Sequence, residues 1–130
     1  KKVYLIDTAL ALNVGYRFSK DAGRLLENLV FVELKREGKE IFYYSEKNEC
    51  DFVIRNGLKI SEAIQVCYDL TKENKEREVN GLLGALNKFK LKEGFILTYD
   101  QEEEIEIGNK KINVMPVWKW ILDQTNQLKT

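Results

Sequence analysis

The chain has 130 residues, enough for one domain with one core, and its 44% hydrophobic and 32% charged residues argue against long disorder. Its 21 Lys+Arg balance 21 Asp+Glu, which excludes the basic excess of a dedicated DNA-binding module; nucleic-acid contact would need a local patch or another domain. No histidine is present, so Ser-His-Asp and Cys-His catalysis and most catalytic zinc sites are excluded.

The chain opens at Lys1 rather than Met and runs straight into Val3–Ile6, a predicted strand, so it reads as a fragment of a longer protein. The apolar stretch Tyr4–Tyr16 is broken by Asp7 and Asn13, too short to span a membrane and without the features of a signal peptide. Asp21 is the predicted cap of a helix running to about Arg36, with Leu25, Leu26, Leu29, Val30 and Val32 as its apolar face and Gly38 as its stop.

A β-meander follows. Glu40–Ser45 is rich in β-formers, Glu46–Glu49 is a polar turn, and Cys50–Arg55 is a strand. Asn56-Gly57 signals a hairpin into Leu58–Tyr68, whose Ala63–Cys67 core is apolar enough to be covered on both faces. Thr71 caps a predicted helix over about Lys72–Phe89, with Val79, Leu82, Leu83, Leu86 and Phe89 in one stripe. Gly94–Thr98 is a buried strand, so strand, helix and strand form a βαβ unit. Glu104–Ile107 and Lys111–Met115 flank the hairpin signal Gly108-Asn109, and Pro116 precedes a closing helix over Val117–Asp123. Helical spacing there groups Trp118, Ile121 and Leu122 as core and leaves Trp120 outside. The predicted class is α/β (α+β): a mixed central sheet flanked by helices in three layers, with core order α-β-β-β-α-β.

No GxxxxGK[ST] or GxGxxG loop occurs, so ATP binding is not expected of this chain. Cys50 and Cys67 are too far apart for a CxxC motif and read as thiols in a reducing compartment, the cytoplasm. The acidic run Gln101–Glu104 with Glu106 reads as a charge-guarded edge strand. The chemistry lies in the meander. Gln65 and Cys67 share one side of their strand, and Asp51 can end beside them across the hairpin. A two-strand nuclease site would need two acids there to hold Mg²⁺ and a lysine to offset transition-state charge. Each residue also has a structural reading: Asp51 as a backbone-bonded strand residue, Gln65 as a satisfied buried amide, Cys67 as a small hydrophobe, and Arg77-Glu78 as a solvated helix face.

Taken together, Gly23–Phe31, Glu49–Phe52, Ile64–Tyr68, Arg77-Glu78, Ile96–Thr98 and Pro116–Leu122 resemble one family. It is the C-terminal domain of unknown function that follows the ATPase module in bacterial and archaeal AAA+ type ATP-binding proteins, and the opening Val3–Thr8 resembles the joining segment, so the resemblance implies a connecting segment over residues 1–19 and the nuclease-like domain over residues 20–130. That family resembles the PD-(D/E)XK, restriction-endonuclease-like fold. The resemblance implies that Asp51 matches the first acid, Gln65 stands where the second acid would be, Cys67 stands where the lysine would be, and Glu27 matches a helical acid near the metal. It implies an upstream ATPase domain of the same chain as partner, with ATP bound there and Mg²⁺ held here weakly through Asp51, Gln65 and Glu27. A carboxamide brings no charge to a hard cation, and a thiol does not replace an ammonium at neutral pH. The expected function is therefore a non-catalytic accessory domain recognising a substrate or partner. The alternatives are an active Mg²⁺-dependent nuclease with an atypical site, or a pure protein-interaction or oligomerisation module.

Overall fold

The computed structural model describes residues 19–46 and 48–129; the predicted strand at Val3–Ile6 and the connecting segment up to residue 18 lie outside them. In chain order the described elements are α1 (Ser19–Arg36), β1 (Glu40–Ser45), β2 (Glu49–Asn56), β3 (Lys59–Val66), α2 (Lys72–Lys88), β4 (Glu93–Thr98), β5 (Glu103–Ile107), β6 (Lys110–Pro116) and α3 (Val117–Lys129). The strands form one mixed sheet in the order β1-β2-β3-β4-β6-β5. β1, β2 and β3 are an antiparallel meander, β3, β4 and β6 run parallel, and β5 returns antiparallel to β6.

Alternation along the strands feeds two cores. Phe52, Ile54, Ile64 and Leu97 pack with Leu26, Val30 and Leu34 of α1 and with Val117 and Trp120 of α3. Val53, Ala63, Ile96, Ile112 and Val114 pack with Val79, Leu82, Ala85 and Leu86 of α2. Helices thus cover both faces, giving the three layers expected, and α1-β1-β2-β3-α2-β4 reproduces the predicted core order.

Local chemistry explains most element boundaries and corrects several expectations. α1 starts at Ser19, so Asp21 lies inside its first turn, where its charge faces the positive helix end, and is not the cap. Its buried stripe is Ala22, Leu26, Val30 and Leu34, a strict four-residue repeat; Val32 falls off that stripe and is 39% exposed. Gly38, with φ +76°, closes the helix as Lys39 N–H returns to Leu34 O. Thr71 caps α2 as expected, accepting from Asn74 N–H while the Asn74 side chain accepts from Thr71 N–H. The β2–β3 turn is Gly57-Leu58 rather than Asn56-Gly57, because Asn56 pairs with Lys59 and the positive φ is needed at Gly57. Glu49, predicted in a turn, begins β2.

The closing helix reverses the expected roles of its tryptophans. Trp120 is 1% exposed whereas Trp118 is 59% and Leu122 54% exposed. Helix α3 begins directly at the end of β6, so Val117 is already in the core, and the residues on its face are those three and four further on, Trp120 and Ile121. Trp118 and Leu122 lie one position off that face. Both cysteines are free thiols, Cys50 buried and Cys67 half-buried.

Candidate functional site: a fork between two strands

The β2–β3 ladder runs from Asn56↔Lys59 to Phe52↔Ile64 and stops there. One residue further the strands part, and side chains take over the backbone bonds. Asp51 N–H donates to Gln65 Oε1 at 2.8 Å, and Val66 N–H donates to Asp51 Oδ2 at 2.8 Å. Gln65 Nε2 donates to the carbonyls of Glu49 at 3.0 Å and Glu78 at 3.1 Å. The amide therefore ties β2, β3 and α2 together at the point where they would otherwise separate.

Two features of the sequence make the fork. A bulge in β2 sets Asp51 and Phe52 together opposite Tyr43, since Phe42 pairs with Val53 but Tyr44 pairs with Cys50. Residues three apart on a regular strand face opposite sides, yet Cys50 and Val53 both enter the core beneath α2. The second feature is Gly81 on α2. A methyl group there would overlap the Glu49 carbonyl oxygen and sit 2.6 Å from Gln65 Nε2, so only glycine lets the helix approach the fork this closely.

The fork opens into a cavity of about 340 Å³ lined by Glu27 of α1, Asn48, Glu49 and Asp51 of the β1–β2 side, Gln65 and Val66 of β3, and Arg77 and Glu78 of α2. Three of the four sequence-predicted residues, Asp51, Gln65 and Glu27, line it. Cys67 does not. Its Sγ lies 3.4 Å from Asp69 O and 3.6 Å from Asn74 Nδ2, in the turn leading to α2. Burial, reinforced by the charge of Glu78, pushes the Cys67 thiol up to about 11, so at neutral pH it is neither a nucleophile nor a cation.

The electrostatics of the cavity are acidic. Burial pushes the Asp51 carboxyl up to about 7, with Glu27, Glu78 and Glu49 adding to the rise and the Val66 N–H opposing it. Burial also raises Glu78, offset in part by Arg77, whose Nε lies 3.4 Å from its carboxylate. The Mg²⁺ expectation meets a direct obstacle here. Gln65 Oε1 and Asp51 Oδ2 are already turned onto backbone amides, and among the described residues no three Cys, Asp or Glu side chains converge closely enough to hold a metal ion. With an amide at position 65, the pair Asp51 and Gln65 supplies one acid rather than two, and no step through a metal follows from them.

Sequence reasoning missed Glu49, Glu78 and Gly81 as parts of the site. Glu78 is legible in principle: it directly precedes Val79, the first buried residue of α2, so it flanks the packed face, and its side chain is only 15% exposed. The solvated-face reading holds for Arg77, at 77%, and not for Glu78.

The fold and its site define a three-layer α/β/α domain whose central sheet forks over an acidic, amide-bridged cavity. The chain belongs to the family described as a domain of unknown function, DUF4143, which matches residues 22–120. It is similar to the uncharacterized protein MJ1544 of Methanocaldococcus jannaschii, with 43% identity over 132 residues, covering 93% of this chain and 29% of that protein. The chain thus spans under a third of that longer relative. Among the described residues no helix is long and apolar enough to cross a membrane.

Proposed function

We propose that this domain is a non-catalytic recognition module on the restriction-endonuclease-like plan, carried by a longer prokaryotic chain whose upstream module binds and hydrolyses ATP. The observation that carries the non-catalytic reading is the hydrogen bonding of Gln65. Its amide nitrogen and oxygen are both committed to backbone groups of β2 and α2, so the residue standing at the second-acid position acts as a structural tie. The lysine position holds a neutral thiol turned toward Asn74. Losing one preorganised electrostatic contact of this kind costs roughly 100- to 1000-fold in rate.

Charge supports a protein as the partner. A phosphodiester entering the fork would meet Glu27, Glu49, Asp51 and Glu78 against one cation, Arg77, which is already bonded to Glu78. This disfavours a nucleic-acid backbone at this end of the sheet and favours a protein partner. The ATPase assignment rests on the sequence resemblance.

The test is incubation of the 130-residue chain with single- and double-stranded DNA in Mg²⁺ or Mn²⁺, beside its Asp51→Ala variant. No cleavage by either is expected. Cleavage by the natural sequence that disappears in Asp51→Ala would overturn the non-catalytic reading. A full-length chain that fails to hydrolyse ATP would overturn the ATPase part independently.

A further inference from the structure

The end of α1 carries one buried carboxyl more than its cations can balance. Glu37 N–H bonds to Glu33 O, so the two side chains stand one helical turn apart. Both are enclosed: Glu33 is 7% exposed and the Glu37 side chain 3%. Glu33 is fully engaged, taking Arg36 Nε at 3.1 Å on one oxygen and Arg36 Nη2 at 2.6 Å on the other. Glu37 is not. Lys39 Nζ lies 3.9 Å from its Oε1, beyond hydrogen-bonding distance, and its buried Oε2 has no partner among the described residues. Lys39 donates instead to Glu62 of β3 at 2.9 Å. The charged groups facing Glu37 are thus Glu33 and Arg36 from α1, Lys39 from the turn after it, and Glu62 from β3 behind Lys39. With Glu37 itself they make three carboxylates against two cations. A buried carboxylate left over in such a set is costly, and taking up a proton removes the cost. Glu33 lies within hydrogen-bonding reach of Glu37, and two carboxyls that close are held together by a proton between them.

We infer that Glu37 is a proton-operated catch at the α1–β1 turn: protonated, it donates to Glu33 and leaves Lys39 on Glu62; ionised, it draws Lys39 to itself and frees the turn from β3. Lys39 Nζ already lies between the two acids, and a movement of about 1 Å brings it within hydrogen-bonding distance of Glu37. The competition is unequal once Glu37 is charged. The Glu62 side chain is 24% exposed and that of Glu37 is enclosed, so water screens an ion pair less at Glu37. Lys39 follows Gly38, which closes α1, and directly precedes β1, so its bond to Glu62 ties the end of the helix to the third strand. Burial, and then Glu33, push the Glu37 carboxyl up to about 7. Burial acts to raise Glu33 as well, but its bonds with Arg36 and Glu37 outweigh that and hold it below the usual value. The proton therefore resides on Glu37 and leaves to water as pH rises through neutrality. This inference does not rest on the recognition reading above, since none of these residues lines the fork.

The test is an NMR titration of the 130-residue chain that follows the side-chain carboxyl carbons of Glu33, Glu37 and Glu62 and the Cε of Lys39. The Glu37 carboxyl is expected to titrate with a midpoint of about 7, and the Lys39 and Glu62 signals to move with that same midpoint. In Glu37→Gln, which keeps the shape of the protonated acid, the movements of Lys39 and Glu62 near neutral pH disappear. Lys39→Met removes the nearest cation and raises the Glu37 midpoint by about one pH unit, a second readout that decides the matter if Glu37→Gln does not fold. A Glu37 midpoint in the ordinary carboxylate range would overturn the inference. So would Lys39 and Glu62 signals that stay still while Glu37 titrates, or a Glu37 midpoint in Lys39→Met equal to the native one.

Discussion

Replacing Asp51 by asparagine isolates the electrostatic strain of the fork. In the native chain the Asp51 carboxyl is raised from 3.8 to about 7, chiefly by burial and then by Glu27, Glu78 and Glu49. A folded-state pKa above the unfolded value means the folded protein binds the extra proton between those two values. The stabilisation is fully present below pH 3.8 and is lost as pH rises through about 7. At about 1.36 kcal/mol per pH unit, that rise sets a ceiling of roughly 4 kcal/mol, and partial access of water to the cavity brings the expected effect to about 2 kcal/mol. The asparagine amide keeps an oxygen for the Val66 N–H and removes the charge. Urea denaturation at pH 4, 6 and 8 is expected to show Asp51→Asn more stable than the native chain by about 2 kcal/mol at pH 8 and nearly equal to it at pH 4. Glu37, pushed up to about 7 by burial and by Glu33, contributes a slope of the same sign. Native and variant are therefore compared at each pH, and Glu37→Gln serves as a second subtraction. A variant less stable than the native chain at pH 8, or an identical pH slope in the two, would refute the assignment of strain to Asp51.

Gln65→Glu is expected to lose about 3 kcal/mol at pH 8, because two donated hydrogens become a carboxylate facing the Glu49 and Glu78 carbonyls, and to recover part of that at pH 5. Equal stability of the two proteins at pH 8 without added divalent cation would contradict the structural role of the amide. Gly81→Ala is expected to lower stability by about 3 kcal/mol, since the new methyl would overlap the backbone oxygen of Glu49; thermal melting reads this directly. Trp120→Ala is expected to cost about 3–5 kcal/mol and Trp118→Ala under about 0.5 kcal/mol, and urea midpoints showing the reverse order would place the wrong face of α3 in the core.

The order of elements from Asp21 onward is written in local signals, each carried by the element itself. The helical apolar stripes, the Thr71 cap, the turns at Gly57 and Gly108 and the apolar β3 and β4 segments are short-range features that need no partner to be read. The missing charges are equally plain, since an amide at 65 and a thiol at 67 are chemical facts independent of the fold. Where these residues lie was decided by packing. Which way α3 faces depends on where β6 delivers Val117, so Trp118 and Trp120 exchanged roles although both fit a helical stripe. Cys67 left the cavity because β3 ends at Val66 and the chain turns toward Asn74. Glu49, Glu78 and Gly81 joined Asp51 and Gln65 only because a β2 bulge and a close helix approach bring three distant segments to one point. Propensity and periodicity act over a few residues, whereas a site at a fork is set by long-range contacts between elements, and those exist only once the chain has packed.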